Sequence, residues 1–382
     1  MNINGTEVYE MDAPAKKERR GINKYIPVAF WVFLALATAS LIMLFVIRSN
    51  GDVAEFLNRT TGRVIRVSLT SVFNLLPFSF IETLVICSPL ILFTVIAITV
   101  RCARRGAGSA WRFVCGLLCV AFLIFSLFVF GYESSYYGTT IEENTGIERS
   151  DLSPEELYSA ADILLDRINE DIDKVDRLES GETVMPYTFS ELNKKLNEAY
   201  AKFNEKYPAY QKMYSKLKPV LLSEPWTYLH TSGLYSFFTG EANINMNYPD
   251  FIIVSSSAHE MSHQRGIGKE DEADFASFLV TSLSDDPYIR YSGNLEIYRN
   301  ILDRLYGADK DLWKKIREKE DPRIRSELTA FSVFFNQYRE NVAATVSNAV
   351  NNAYIQSHNQ PAGIKSYGLV VDLAVSYLLY SE

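Results

Sequence analysis

The stretch Ser255–Phe275, SSSAHEMSHQRGIGKEDEADF, decides how this sequence is interpreted. It contains two of the chain's four histidines, His259 and His263, at a spacing that puts both on one face of a helix. Two imidazoles so placed can bind one metal ion, and Glu260 between them can take a proton from an attacking water without binding the metal. An ordinary amphipathic helix with two surface histidines is the alternative. We predict a zinc site.

The glycines that follow predict a reversal of the chain. Gly266 and Gly268 can end the first helix, so that a second helix begins at Glu270 and returns toward the metal. On this second helix Glu270 and Asp274 share a face, whereas Glu272 points to nearly the opposite side. We expect Glu270 to be the third ligand, with Glu272 as the alternative, and Asp274 to accept the N–H of a ligating histidine. Without a metal, the helix dipole alone would also favour acidic residues in this first turn.

The pair of segments HEMSH and EDEADFAS resembles the glutamate zincins, the gluzincin type of zinc metallopeptidase. In that family an HExxH helix is followed by a helix with the pattern ExxA(D/N), in which the first glutamate binds zinc and the last residue supports the site. The resemblance implies these roles for Glu270 and Asp274. It also implies a zincin-like fold, a Zn²⁺ cofactor and a peptide or protein substrate. The connection between His263 and Glu270 is shorter here than is usual in that family.

Five blocks along the chain also resemble an uncharacterised bacterial family of multi-pass membrane proteins. That family is classed as a domain of unknown function and is regarded as zinc-peptidase-like. The resemblance implies a protein of the bacterial cell envelope and a topology, but no substrate. The blocks are NLLPFSFIETL, FTGEANIN, AHEMSHQRGIGKEDEADF, RYSGNLEIY and QPAGIKSYGLVVDL, and their order and spacing match the family.

Three apolar segments, at about 25–47, 80–100 and 113–132, precede the histidine motif. Each is long enough to cross the roughly 30 Å hydrocarbon core of a bilayer as a helix. Basic residues near the ends are more numerous on the side of the N-terminus, which places that terminus in the cytoplasm and residues after 132 outside it. We therefore expect a multi-pass protein of the cell membrane. The basic residues are Lys16, Lys17, Arg19, Arg20, Lys24, Arg101, Arg104, Arg105 and Arg112 on one side, and Arg48, Arg59, Arg63, Arg66 and Arg149 on the other.

Composition predicts the domain organisation and the fold class. Residues 1–24 are expected to be a disordered basic tail, 25–132 a membrane domain, 133–150 a polar linker, and 151–382 an extracytoplasmic α+β domain that is mostly helical and zincin-like. This last domain contains no cysteine, so it must fold without disulfides. All the cysteines, Cys87, Cys102, Cys115 and Cys119, lie in or next to the apolar segments.

Local patterns predict several elements of the large domain. Capping boxes at Ser153 with Glu156 and at Thr188 with Glu191 predict the starts of two helices, which we expect to pair as a hairpin. The segment Gly240–Met246, GEANINM, is the clearest of two or three short strands. Because zincins place an edge strand just upstream of the metal helix, this strand is expected to bind an extended peptide by β-addition.

The predicted function is that of a membrane-anchored zinc metallopeptidase with Glu260 as general base. Tyr291 is the candidate for stabilising the oxyanion, with Arg290 and His230 as further candidates. A non-catalytic binding or sensing module with the same fold is the alternative function. No nucleic-acid partner is expected, since the net charge is -8 and neither a phosphate-binding loop nor a basic aromatic platform is present.

Overall fold

The computed structural model describes residues 26–381. The predicted tail, residues 1–24, and Tyr25 of the first apolar segment lie outside this range. The described residues form a mostly helical structure with a few short strands. Its elements are α1 (Val28–Ser49), α2 (Gly51–Leu57), a π-helical turn (Asn58–Gly62), α3 (Arg63–Phe73), α4 (Phe80–Arg104), α5 (Ala107–Gly131), a 3-10 turn (Glu133–Tyr136), α6 (Ile141–Thr145), α7 (Pro154–Asp171), a 3-10 turn (Ile172–Lys174), α8 (Phe189–Lys206), β1 (Lys218–Pro219), α9 (Ser223–Tyr228), β2 (Gly233–Ser236), β3 (Glu241–Ile244), α10 (Asp250–Gln264), α11 (Glu270–Ser282), α12 (Pro287–Ala308), α13 (Lys310–Lys319), α14 (Pro322–Asn336), α15 (Val342–Ser357), a 3-10 turn (Gly363–Leu369) and α16 (Val370–Tyr380).

Among the described residues, three helices are long and apolar enough to cross a membrane. They are α1, α4 and α5, and they coincide with the three apolar segments of the sequence. The helices extend beyond the predicted bounds by up to two turns. The sequence criterion stops at the first charged residue, whereas backbone hydrogen bonding continues through Arg101 and Arg104 at the end of α4.

The described chain divides into two compact units. The smaller unit consists of residues 26–37 and 89–123, which are parts of the three apolar helices. The larger unit consists of residues 38–88 and 124–381, so it includes the beginning of α4 and the end of α5 together with everything after them. The membrane domain predicted from the sequence, residues 25–132, includes residues of both units, because the units reflect packing and hydropathy does not measure packing.

The segment predicted to be a linker, residues 133–150, is folded. It begins with the 3-10 turn and continues into α6. Glu133 is fully buried, and its carboxylate lies 2.8 Å from Arg48 Nε and 3.3 Å from His358 Nε2. The polar composition of this segment suggested a linker. Composition cannot show that Glu133 is paired in the fold, because its partners Arg48 and His358 are distant in the sequence.

Both predicted capping boxes are present, at the starts of α7 and α8. The predicted hairpin is wrong, because α7 packs mainly against α12 whereas α8 packs against α11. An amphipathic helix must cover its apolar face, but the pattern does not say which later element covers it.

The strands form one sheet in the order β1–β3–β2, with β3 parallel to β1 and antiparallel to β2. The predicted strand GEANINM contains β3, but β3 is the central strand. The edge strand next to the histidine helix is β2 instead. Alternating apolar residues indicate a strand and do not determine its position in the sheet.

The histidine helix, α10, packs against β2 and β3 and also against α11 and α12. Nearly all of its residues are buried, which explains why the positions around the motif are uncharged. The exception is Arg265, which follows the helix and is itself buried. Its guanidinium stacks 3.7 Å from the centre of the Tyr200 ring and donates to the carbonyl of Met261 at 2.9 Å. Arg265 thus supports the end of α10.

Candidate metal centre

The predicted reversal between the two helices is present. The last helical residue of α10 is Gln264, and Gly266 has a φ of 87°, a left-handed conformation that favours glycine. The next helix, α11, begins at Glu270, the predicted residue. This turn brings the first turn of α11 back to the face of α10 that carries the histidines.

Three side chains converge at this point, from His259, His263 and Glu270. The Oε2 atom of Glu270 lies 3.3 Å from His259 Nε2 and 3.5 Å from His263 Nε2. All three ligand atoms lie within 4.8 Å of one another, and no other such group occurs among residues 26–381. Bonds of about 2.05 Å at tetrahedral angles would place two ligand atoms roughly 3.3 Å apart. Two of the three spacings in the cluster are close to this value, so the cluster can hold a metal ion.

The other nitrogen of each imidazole is held by an acceptor. His259 Nδ1 lies 2.7 Å from the carboxylate of Asp274, the contact expected from the sequence. His263 Nδ1 donates to the carbonyl of Ile267 at 2.8 Å. Because both partners accept, each Nδ1 carries a hydrogen, so a neutral imidazole at either position directs its Nε2 lone pair at Glu270. Three lone-pair atoms at this spacing repel one another unless a cation, either a proton or a metal ion, lies among them.

The electrostatics of the cluster favour a positive charge. Burial by itself would lower the pKa of His259, but Asp274 and Glu270 raise it well above its usual value. Burial would raise the pKa of Glu270, but the two histidines hold it well below its usual range. Glu270 thus stays ionised, and the cluster can exchange protons for a divalent metal.

Glu260 lies beside the cluster without joining it. It is buried, and its Oε2 has no hydrogen-bond partner in the described part of the chain. Burial raises the pKa of this carboxyl to about 6. It packs on Gly233 of β2 so closely that a Cβ at that position would lie 2.6 Å from Glu260 Oε1. Glu260 is therefore a carboxylate that can accept and release a proton near neutral pH.

The alternative third ligand, Glu272, is not brought into the cluster. Its carboxylate pairs with Lys269 at 2.8 Å. Glu272 lines a separate cavity of about 170 Å³, which contains several arginines and none of the three clustered residues. The helical phase of α11 explains the separation, since residues 270 and 272 differ by about 200° around the helix.

Two of the three candidates for oxyanion stabilisation, Tyr291 and Arg290, lie outside the cleft, and the third is bonded to the backbone. The buried Tyr291 hydroxyl is hydrogen-bonded to Arg177 and Glu327. Tyr291 is not among the residues that line the cavity around the cluster. The guanidinium of Arg290 is paired with Asp171 at 2.7 and 2.9 Å. His230 does line the cavity, but its Nε2 is bonded to a backbone carbonyl at 2.8 Å. We do not retain Tyr291 as a site residue, because its hydroxyl is committed to other partners.

A family profile described as a protein of unknown function, DUF3810, matches residues 58–375. The chain belongs to the DUF3810 family. No curated protein and no solved structure matches the chain. The matched range of this DUF3810 protein includes α4 and α5 as well as the clustered residues. Because the family description names no activity, the function has to be inferred from the site.

In the DUF3810 chain the cluster lies in a cleft of about 1930 Å³. Tyrosines that the sequence did not single out line this cleft near the histidines. The ring centroids of Tyr235 and Tyr367 lie 6.2 Å from His263 and 6.5 Å from His259, respectively. Burial raises the pKa of both hydroxyls, so they stay protonated and can donate. No described residue is hydrogen-bonded to the buried Tyr235 hydroxyl. The block QPAGIKSYGLVVDL contains Tyr367 and was the one signal for it in the sequence.

Proposed function

We propose that this DUF3810 protein is a membrane-anchored zinc metallopeptidase that hydrolyses peptide bonds. The observation that carries the proposal is the convergence of the ligand atoms of His259, His263 and Glu270 beside Glu260, whose buried carboxylate has an oxygen with no partner among the described residues. A metal site that only supports the fold is closed and needs no neighbouring base. A site with three protein ligands and a nearby carboxylate is the arrangement of hydrolytic zinc enzymes.

In this proposal His259, His263 and Glu270 hold the metal. Bound zinc would supply Lewis acidity, which makes a water more acidic and polarises the substrate carbonyl. Asp274 and the Ile267 carbonyl fix the tautomer and the orientation of the two imidazoles. These contacts keep both Nε2 atoms directed at the position that the metal takes.

Glu260 acts as the general base. It accepts the proton of the attacking water and then delivers it to the leaving amine. Burial raises its pKa to about 6, so at physiological pH the carboxyl is largely ionised and can accept the proton. Contact with Gly233 holds the carboxylate in place from the side of the sheet. Tyr235 and Tyr367 pack near the histidines, and their hydroxyls are the candidate donors for the developing oxyanion.

The edge strand β2 is the proposed binding site for the substrate backbone. It pairs with β3 on one side, and its residues line the cleft. An extended peptide can add to the other edge through backbone hydrogen bonds, as the sequence predicted for a different strand. Gly233 of β2 lies against Glu260, so a peptide paired along β2 would have one of its peptide bonds close to the base.

The proposal includes a location. The three apolar helices α1, α4 and α5 cross the cell membrane, and the excess of basic residues on the N-terminal side orients the large unit outside the cytoplasm. In this orientation the start of α4 and the end of α5 lie at the extracytoplasmic surface, on the same side as the cleft.

Zinc content tests the metal assignment. Purified full-length protein is expected to contain about one zinc per chain. The double variant His259→Ala/His263→Ala is expected to contain almost none, because two of three ligands are lost. His230→Ala is the matched control, since this histidine lines the same cleft but is bonded to a carbonyl. Elemental analysis, with circular dichroism as a check of folding, measures the outcome. A double variant that is folded and retains its zinc would refute the assignment.

Removal of the Asp274 carboxylate, which is bonded to Nδ1 of His259, is expected to weaken zinc binding by about 10- to 100-fold. Asp274→Asn keeps the shape of the side chain but loses the charge that stabilises the ligating tautomer. Competition with a colorimetric chelator gives the zinc affinity. Asp271→Asn is the control, because Asp271 lies on the same helix and its carboxylate pairs with Arg149. Equal affinities for the two variants would mean that Asp274 has no role in binding.

A further inference from the structure

The cleft is walled in part by the ends of two membrane-length helices. Ile81, in the first turn of α4, lines it. Tyr132 and Tyr136, at the end of the membrane-length segment Ala107–Tyr136, line it too. The ring centroids of Tyr132 and His263 are 6.2 Å apart. One aromatic side chain therefore separates a proposed zinc ligand from the end of a membrane helix.

Two buried carboxylates attach the start of α4 to the sheet and its neighbouring loop. Glu241, on β3, accepts hydrogen bonds from the backbone N–H of Phe80 at 2.9 Å and of the next residue at 3.2 Å. Glu82, on α4, accepts from the backbone N–H groups of Leu221 at 3.0 Å and Leu222 at 2.7 Å. Negative charge at the N-terminus of α4 is further stabilised by the helix dipole. The first turn of α4 is thus a fixed part of the domain that carries the cleft.

The end of α5 is attached in the same way. Buried Arg66 donates to the carbonyl of Gly131, the last residue of α5, at 2.8 Å. The same guanidinium packs on Gly266, in the turn after the histidine helix, where a Cβ would lie 2.5 Å from Arg66 Nη2. Phe237, in the turn between β2 and β3, packs on Phe128 of α5 with ring centroids 5.0 Å apart. These contacts fix the short distance between the cluster and the membrane end of α5.

The cleft is also lined by an exposed apolar stripe. Val342, Val346 and Val350 recur every fourth residue on α15, all three line the cleft, and they are 81%, 58% and 66% exposed. Leu234 of the edge strand adds a fourth exposed apolar side chain. A cleft lined in this way favours a polypeptide with apolar side chains, because binding removes both surfaces from water.

We propose that the substrates are membrane-anchored proteins, cut in the extended segment that directly adjoins the anchor. This inference rests on the proposed peptidase function and names its substrate class. An extended chain advances about 3.3 Å per residue, so a few residues beyond the anchor are enough to reach a site beside the membrane end of α5. A segment tethered beside the cleft also has a high effective concentration there, which a free polypeptide lacks.

A single substrate with an internal control tests this inference. It consists of a transmembrane helix followed by an unstructured tail that contains several identical cassettes, the first next to the helix and the last about 60 residues away. The cassette alternates apolar and small polar residues and is chosen as one that the enzyme cuts in a soluble peptide library. The full-length protein and this substrate are reconstituted together in phosphatidylethanolamine–phosphatidylglycerol vesicles. Mass spectrometry then counts the cuts in each cassette, and the Glu260→Gln protein provides the background.

The first cassette is expected to be cut at least about 10-fold more often than the last, because the effective concentration of a tethered segment at the cleft falls steeply with the length of flexible chain between that segment and its anchor. The same tail without its anchor is expected to be cut equally in all cassettes. Equal cutting along the anchored tail would overturn the inference and leave the peptidase function intact. Absence of cutting in every format, soluble library included, by zinc-loaded protein would overturn the peptidase function and this inference with it.

Discussion

Glu260→Gln is expected to lower kcat/KM for peptide hydrolysis by about 10²- to 10⁴-fold while the zinc content stays at the wild-type level. Glutamine has the size of glutamate but cannot accept the proton of the attacking water. One oxygen of Glu260 has no partner among the described residues, and Glu260 is not one of the three clustered ligands. The substitution therefore removes the base without removing a metal ligand.

The measurement is cleavage of an unstructured peptide library by the full-length protein, together with zinc analysis of the same samples. A variant that keeps its zinc and stays within about threefold of wild-type activity would show that Glu260 is not the base. If the zinc-loaded wild type cuts no peptide at all, the protein is better described as a binding or sensing module. That outcome would retain the metal site and reject the enzyme.

Glu270→Gln is expected to weaken zinc binding by more than about 100-fold, beyond the loss typical of a residue that only supports a ligand. Glu270 supplies the sole carboxylate oxygen in the cluster, at 3.3 and 3.5 Å from the two Nε2 atoms. An amide at this position removes the negative charge that balances a divalent ion. Activity measured without added zinc is expected to fall to the background level.

Glu272→Gln is the matched control for this variant. It makes the same chemical change one half-turn farther along α11, where the carboxylate pairs with Lys269 and lines a different cavity. Zinc affinity of this variant is expected to stay within about threefold of wild type. Zinc loss in Glu272→Gln with retention in Glu270→Gln would reverse the assignment of the third ligand.

Much of the candidate site could be predicted from adjacent residues. The spacing of His259 and His263, the glycine at position 266 and the start of α11 at Glu270 are all local features, and each is present as expected. The helical period correctly predicted that Glu270 and Glu272 point in different directions, because both residues lie on one short helix with a known period. The contact of Asp274 with His259 follows from the same geometry.

Predictions that depended on distant partners were less successful. Tyr291 looked available as a donor, yet its hydroxyl is bonded to Arg177 and Glu327, which lie on other helices and loops. The strand at residues 240–246 exists, but its place at the centre of the sheet depends on β1 and β2. The amphipathic patterns of α7 and α8 indicated that each helix buries one face, but they did not identify the elements that cover those faces.

The sequence by itself determined the three membrane-length helices, the two helices of the motif and the order of the candidate ligands along them. These are consequences of hydropathy, helical period and backbone conformation, which act over a few residues. Only the tertiary structure decided that Tyr235 and Tyr367 face the histidines, that β2 is the edge strand, and that the ends of α4 and α5 wall the cleft. Such pairings depend on packing between segments far apart in the chain, where many combinations satisfy the same local pattern and the best burial of apolar surface and polar groups selects one.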